Sequence, residues 1–485
     1  MNVKAISVYV GKALLINALF MMISMMISIA NGFDSAFTPL LISFLVTLTT
    51  GIFPFIFVKD NQSVSLQGGY LTIVISWFLS IVFGMLPYVL WGGEFTLINA
   101  WFESVSGYTT TGSTILNDIE ALPKSLLFWR SSTHFIGGLG VIVFLLMILP
   151  DTSPVKLKLT HLELSSFSKE GYGNIYRSGR TAGIMVTVYL GLAFTETLCL
   201  WGAGMTLFDA VNHAFSTVAT GGFSTKNLSI MHYDSVVIEI IITVFMALSA
   251  MHFGVIFAVF AKRSFKPLKN SIIKYYFIVI AIFSLIIASS LKFQGGYESW
   301  GKAAMDSIFQ TVSFISTTGF AQADNAGWPL LANAILLLAG IHCGCSGSTT
   351  GGIKADRMLI SLKAVYGNFQ KRMHPNSMFR IKIGNHAVDD ETISSVFLYI
   401  VLYFFVIMGS FLILLVCGTD VGDAFSGTLA SLGNVGPGTG NIGTLGNYST
   451  QSEVAKIIYS IDMFLGRLEI FPVLIVLRMI FDKKR

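Results

Sequence analysis

The segment Thr109-Thr110-Thr111-Gly112-Ser113 lies between two long apolar stretches, and its pattern returns three more times along the chain. The other copies read Ala219-Thr220-Gly221-Gly222-Phe223, Ser316-Thr317-Thr318-Gly319-Phe320 and Gly433-Asn434-Val435-Gly436-Pro437. Thirteen residues before the aligned glycines stand Asn99, Asp209, Asp306 and Asp423, each followed by a small residue and then an apolar one. Asn and Asp are favoured helix N-caps, so each copy reads as a cap, a short helix and a Thr/Gly-rich extended turn. Four such turns can place a ring of oxygens around one axis, which is the lining an ion pore requires.

Composition puts the repeats in a membrane. Of 485 residues, 53% are apolar and only 12% charged, and apolar runs of spanning length recur throughout. The net charge of +5 does not indicate a nucleic-acid partner, because Lys and Arg collect in particular connections. One cluster holds Lys156, Lys158, Lys169, Arg177 and Arg180, and a second runs from Lys262 to Lys274. A third contains Lys354, Arg357, Lys363, Lys371, Arg372, Arg380 and Lys382, and the chain ends Lys483-Lys484-Arg485. The intervening connections carry mainly acids, such as Glu94, Asp118, Asp234, Glu298 and Asp420. Positive loops stay cytoplasmic, so this alternation is a topology, and it puts both termini inside.

The apolar run from Ala13 to Ile29, preceded by Lys4 and Lys12, has the look of a signal peptide. It is long for one, and a second apolar span, Leu40 to Val58, follows at once, so a retained helical hairpin is expected over 1–69. The remainder divides into four units, 70–155, 156–266, 267–382 and 383–485, each of apolar span, half-span, apolar span. The sequence therefore predicts an all-α membrane protein of ten transmembrane helices, with four pseudo-symmetric helix–pore-loop–helix repeats around one ion pore. A half-span of about ten helical residues covers roughly 15 Å, half of a hydrocarbon core of about 30 Å. Extended backbone is tolerated at that depth only where it is buried or lines a wet cavity. An inward-pointing helix also aims its partly negative C-terminal end at the cavity, which favours a cation.

Carbonyls and hydroxyls of the turns replace the water shell of an ion, and glycine admits backbone angles closed to other residues. The expected cation-binding wall is Thr110, Thr111, Gly112, Thr220, Gly221, Gly222, Thr317, Thr318, Gly319, Asn434, Val435 and Gly436. At these residues the chain resembles the TrkH/Ktr/HKT superfamily of potassium transporters, most closely the bacterial TrkH type, from near Tyr70 to Met479. The resemblance implies a single-chain version of a tetrameric potassium-channel pore, with one filter glycine per repeat. In plant relatives a serine at the first position goes with sodium preference, so Gly112 implies potassium. The fourth repeat departs from Thr-x-Gly with Asn434-Val435-Gly436, which weakens any symmetric site of four Thr side chains. The resemblance further implies a homodimer in the bacterial inner membrane and a cytoplasmic TrkA-type regulatory subunit. ATP or ADP would bind that subunit only, with no cofactor on this chain.

Two anomalies remain in the apolar spans. Arg467 lies in Asp462-Met463-Phe464-Leu465-Gly466-Arg467-Leu468-Glu469, within the last span. An arginine at a helix centre costs about 2.5–3.5 kcal/mol on insertion scales, so it must face protein or water. It is either a structural ion-pair partner of Asp462 or Glu469, or, as the resemblance implies, a positive charge in the conduit below the filter. The second anomaly is Gly344-Cys345-Ser346-Gly347-Ser348-Thr349-Thr350-Gly351-Gly352, too rich in glycine to continue a stable helix. A flexible strand is expected there, and the resemblance implies a gate. Gly347 and Gly352 have P-loop spacing, but Ile353 replaces the required Lys and no strand precedes them.

Other chemistry is not visible. Cys199, Cys343, Cys345 and Cys417 read as small packing residues. His134, His252 and His342 read as helix-packing residues sharing one role, and no Ser-His-Asp or paired-carboxylate arrangement points to an enzyme. The alternative within transport is K+ symport coupled to H+ or Na+, since such carriers also use broken helices at mid-membrane.

Overall fold

The computed structural model describes residues 3–58, 65–147, 180–374, 380–384 and 386–482. The first basic cluster up to Arg177, and Lys483-Lys484-Arg485, lie outside the described residues. Helices dominate, and the one sheet among the described residues is a two-strand ladder, β1 (Lys382–Ile383) against β2 (His386–Ala387).

The N-terminal hairpin is α1 (Val3–Ala30) and α2 (Phe37–Phe57). Asp34 in its turn accepts hydrogen bonds from Ser28 Oγ at 2.6 Å and from Ser125 Oγ at 2.8 Å. The turn is thereby tied to the first repeat. That repeat comprises α3 (Leu66–Gly84), α4 (Leu86–Trp91), the short α5 (Leu97–Tyr108) and α6 (Lys124–Met147). The second has α7 (Arg180–Gly202), short α8 (Leu207–Ala219), then α9 (Val236–Ser249) and α10 (Phe253–Lys262). The third has α11 (Ser271–Gln294), short α12 (Trp300–Ile315), α13 (Leu330–His342) and α14 (Ala355–Met373). The fourth has α15 (Asp390–Val416), short α16 (Val421–Leu432), α17 (Glu453–Leu468) and α18 (Ile470–Asp482).

Among the described residues six helices are long and apolar enough to cross a membrane, and a seventh crossing arises if α9 and α10 count as one span bent by 101°. Four of the six are the first helices of the repeats and two are the hairpin. The second helices differ for a physical reason. They carry polar and charged groups turned inward, including Arg130, His134, Lys456 and Asp462, all buried, and three of the four are interrupted.

The interruptions correct the sequence reading, which places one break, in the third repeat. Breaks also fall at Ala250–His252 and at Glu469, whose φ of 61° ends α17. The caps are corrected too. The N-caps of the short helices are Thr96, Thr206, Ser299 and Asp420. Three of these stand three residues before Asn99, Asp209 and Asp423; α12 begins earlier, leaving Asp306 in its second turn. In α8 the cap is reciprocal, with Asp209 N–H donating to Thr206 Oγ1 at 3.1 Å and the Thr206 hydroxyl donating back to the Asp209 carboxylate at 2.9 Å. The Asp side chains are instead anchors: Asp209 accepts from Thr225 Oγ1 at 2.6 Å, Asp306 from Tyr297 at 2.9 Å and Asp423 from Gln451 at 3.0 Å.

Removing the Asp34 carboxylate leaves two buried hydroxyls, Ser28 and Ser125, without their acceptor. Asp34→Ala is expected to cost about 1–3 kcal/mol and to lower the thermal midpoint of the detergent-solubilised protein. An unchanged midpoint would show that the hairpin is held by apolar packing alone.

Candidate functional site

Each short helix ends in the same way. The residues Thr110, Thr220, Thr317 and Asn434 have φ of 51°, 58°, 55° and 53°, in the left-handed region. Their N–H groups donate three residues back, to the carbonyls of Gly107, Thr217, Phe314 and Ser431 at 2.9–3.1 Å. The next N–H groups, of Thr111, Gly221, Thr318 and Val435, donate five residues back, to Ser106, Ser216, Ser313 and Ala430 at 2.8–2.9 Å. This is the Schellman helix ending, repeated four times. Glycine usually takes the left-handed position; Thr there is a genuine outlier, and such residues cost about 1–3 kcal/mol each. Four of them in register mark a backbone conformation that the packing imposes.

Two residues later come the glycines Gly112, Gly222, Gly319 and Gly436, with φ of 84°, 81°, 76° and 96°. Their surroundings define a closed cycle. A Cβ on Gly112 would strike the carbonyl oxygen of Gly221, one on Gly222 that of Thr318, and one on Gly319 that of Val435. A Cβ on Gly436 would strike that of Thr111, which returns to the first repeat. Eight of the twelve residues singled out from sequence make this ring of contacts, and the other four, Thr110, Thr220, Thr317 and Asn434, are the left-handed residues immediately before them. Above it lies a cavity of about 230 Å³, lined in part by all four glycines. The Asn434 side chain lies sideways, donating to Thr111 Oγ1 at 3.0 Å and to the Met463 carbonyl at 2.8 Å, so its backbone keeps the common geometry.

The segment from Gly344 to Gly352 is buried throughout and packed against the other side of the left-handed residues. The Thr220 hydroxyl donates to the Thr349 carbonyl at 3.0 Å, the Gly351 N–H donates to Thr317 Oγ1 at 3.3 Å, and a Cβ on Gly351 would meet the Asn434 side chain. The loop is tied to its surroundings by several hydrogen bonds. Cys345 N–H donates to Ala250 O at 2.8 Å, Phe253 N–H to Gly347 O at 3.1 Å and Ser346 Oγ to Asp356 at 2.6 Å. The first two bonds also explain the break between α9 and α10, since they use backbone groups a continuous helix would keep.

Arg467 is buried in the last turn of α17. Its guanidinium donates to the carbonyls of Thr349 and, at 3.0 Å, of Gly137. Neither expected ion-pair partner is used: Asp462 accepts from Ser410 Oγ at 2.6 Å, and Glu469 pairs with Arg357 at 2.8 Å. Arg357 also lies 4.0 Å above the Tyr399 ring. Lys354 and Arg357, which the sequence groups with the third basic cluster, are both buried. The histidines play three separate roles. His134 stacks on Phe223 at 4.0 Å, His252 caps α10 by accepting from Gly254 N–H at 3.0 Å, and His342 lies 2.9 Å from the Tyr275 hydroxyl. Cys343 and Cys345 are buried, whereas Cys199 is exposed on the outer surface of α7. The sequence reading misses Glu103 and Arg130, although one arginine inside the otherwise apolar run from Leu126 is an available signal.

Apolar helices of spanning length arranged around a buried ring of backbone carbonyls define a multi-pass membrane protein of the cation-transport class. A family model, TrkH, described as a cation transport protein, matches residues 40–484, and the chain belongs to that family. It is 34% identical to the Trk system potassium uptake protein TrkH of Escherichia coli K12 over 423 residues, covering 86% of each chain. It is 31% identical to that of Halomonas elongata over the whole of both. The crystal structure of the potassium transporter TrkH from Vibrio parahaemolyticus superposes with a TM-score of 0.88 at 30% identity, covering 98% of this chain and 99% of that one.

A methyl group at Gly222 meets both a left-handed backbone, at about 1–2 kcal/mol, and the Thr318 carbonyl. Gly222→Ala is expected to lower the thermal midpoint in detergent more than Gly191→Ala, whose added Cβ has open space around it. Equal midpoints for the two variants would mean that the ring is loose.

Proposed function

We propose that the chain mediates potassium uptake across the bacterial cytoplasmic membrane, through one pore made by four repeats at 70–155, 156–266, 267–382 and 383–485. The observation that carries the reading is the closed cycle of glycines and neighbouring carbonyls. Such a ring offers an unhydrated cation oxygen ligands on every side, with the C-terminal ends of four helices adding partial negative charge. The names of the relatives support K+ as the ion.

In this reading Thr110, Thr111, Gly112, Thr220, Gly221, Gly222, Thr317, Thr318, Gly319, Asn434, Val435 and Gly436 form the selectivity filter. The loop from Gly344 to Gly352 and Arg467 form the gate on the cytoplasmic side. Arg467 ends α17 with its guanidinium on the carbonyls of Thr349 and Gly137, where its positive charge opposes a cation. Opening requires the loop to leave Thr220, Thr317 and Arg467 together. That coupling suits control by a cytoplasmic nucleotide-binding subunit of the TrkA type acting on a homodimer of this chain. Ten crossings with cytoplasmic termini complete the topology.

The test is cation flux through the purified chain in liposomes, with K+, Rb+ and Na+ compared. Passive flux favouring K+ and Rb+ is expected, and Arg467→Ala should raise it about tenfold, equivalent to about 1.4 kcal/mol from the barrier. Flux that needs an imposed proton or sodium gradient would replace the pore reading with coupled symport.

A further inference from the structure

The buried ion pair beside the ring belongs to no part of the gate. Arg130 on α6 and Glu103 on α5 are 1% and 0% exposed and 2.7 Å apart. The pair does not close on itself. Glu103 accepts from the Thr114 hydroxyl at 3.0 Å and from the Ile115 N–H at 3.1 Å, both just beyond Gly112. Arg130 reaches the second repeat, donating to the Ser224 carbonyl at 3.3 Å, two residues beyond Gly222. Its guanidinium lies 4.0 Å over the Phe223 ring, and His134, one turn further along α6, stacks on that ring at 4.0 Å. Phe223 directly follows Gly222 in the chain. One helix face therefore grips the segments leaving two adjacent filter turns.

The same register position in the other short helices makes related contacts with less charge. Nine residues before each aligned glycine stand Glu103, His213, Gln310 and Gly427. His213 Nε2 is 2.9 Å from Ser224 Oγ, and Gln310 donates to the Ala323 carbonyl at 3.0 Å. Gly427 has no side chain, and the Gly436 carbonyl is instead held by Ser113 Oγ at 3.1 Å and the Tyr448 hydroxyl at 3.0 Å.

We propose that Arg130, oriented by Glu103, is a positioning residue for ion discrimination: it fixes the spacing between the first and second filter turns by holding Ser224 and Phe223 against Thr114. The inference rests on the filter reading above. A ring of fixed width coordinates one ion radius best; a ring free to contract accepts the smaller Na+. An ion pair suits this role because a charge-assisted hydrogen bond is shorter and stronger than a neutral one. A guanidinium also bonds in several directions from one rigid plane, which an ammonium cannot do.

The experiment measures K+ and Na+ flux in liposomes for the wild type, Glu103→Gln, Arg130→Lys and Thr114→Val. Glu103→Gln and Arg130→Lys are each expected to raise the Na+-to-K+ flux ratio severalfold while K+ still passes. Thr114→Val, which removes one hydroxyl and no charge, should move the ratio in the same direction and stays informative if the charge variants do not fold. Variants that run as folded protein on size exclusion and keep the wild-type ratio, with absolute flux lowered or not, overturn the proposal. Absence of selective K+ flux in the wild type would instead overturn the filter reading itself.

Discussion

The close approach of each ring glycine to a carbonyl of the next repeat governs the rest of the molecule. There is no room for a Cβ at Gly112, Gly222, Gly319 or Gly436, so the four turns touch backbone to backbone. A cycle of four such contacts has no free end, and displacing one turn disturbs both neighbours. The left-handed Thr110, Thr220, Thr317 and Asn434 are the local cost of bringing carbonyls into that cycle. They are tolerated because the short helices preceding them are buried along most of their length. Without that support the turns would relax to the backbone angles Thr prefers.

Two buried arginines near the last helix break illustrate how a partner decides what a charge does. Arg357 faces the Glu469 carboxylate and the Tyr399 ring; its charge is compensated locally, and it ties α14 to the start of α18. Arg467 faces two carbonyl groups. It also sits at the C-terminal end of α17, where the helix dipole favours a cation. Both contacts lie on other repeats, Thr349 in the third and Gly137 in the first, so Arg467 ties the end of α17 to two of its neighbours.

The ring is legible in the sequence because its demands fall on single positions: a glycine at fixed spacing leaves a mark that each repeat shows on its own. Three of the caps are displaced by three residues because Asp and Asn suit the third helical position as well as the cap, and Thr96, Thr206 and Asp420 take the cap itself. The breaks at Ala250–His252 and Glu469 leave no compositional trace. Ala250, Met251 and His252 are compatible with a helix, and only bonds from the distant loop at Cys345 and Gly347 divert their backbone. The loop from Gly344 is visible through its glycines, but its bonding partners, among them Thr220, Ala250, Thr317, Asp356 and Arg467, are spread along the chain and leave no local mark. The pairing of Arg357 with Glu469 is not readable from charge counting, which locates cations and says nothing of their counter-ions.

The backbone of the ring is nearly fourfold, and its side chains are not. Three of the four left-handed residues have their side chains engaged: Thr220 with Thr349, Thr317 with Gly351, and Asn434 with Thr111 and Met463. The Thr110 hydroxyl has no hydrogen-bond partner among the described residues. Because the loop belongs to one repeat, it bonds to the second and third and crowds the fourth, leaving the first quadrant least engaged. A ring of four identical subunits could not make such a distinction. A single chain can make its quadrants unequal: the four turns share one backbone geometry, while only the third repeat supplies the loop packed against them and the fourth supplies the buried Arg467. The common geometry of the four turns and the differences in everything that touches them are therefore compatible, because the closed cycle constrains the backbone alone and leaves the side chains around it free to differ.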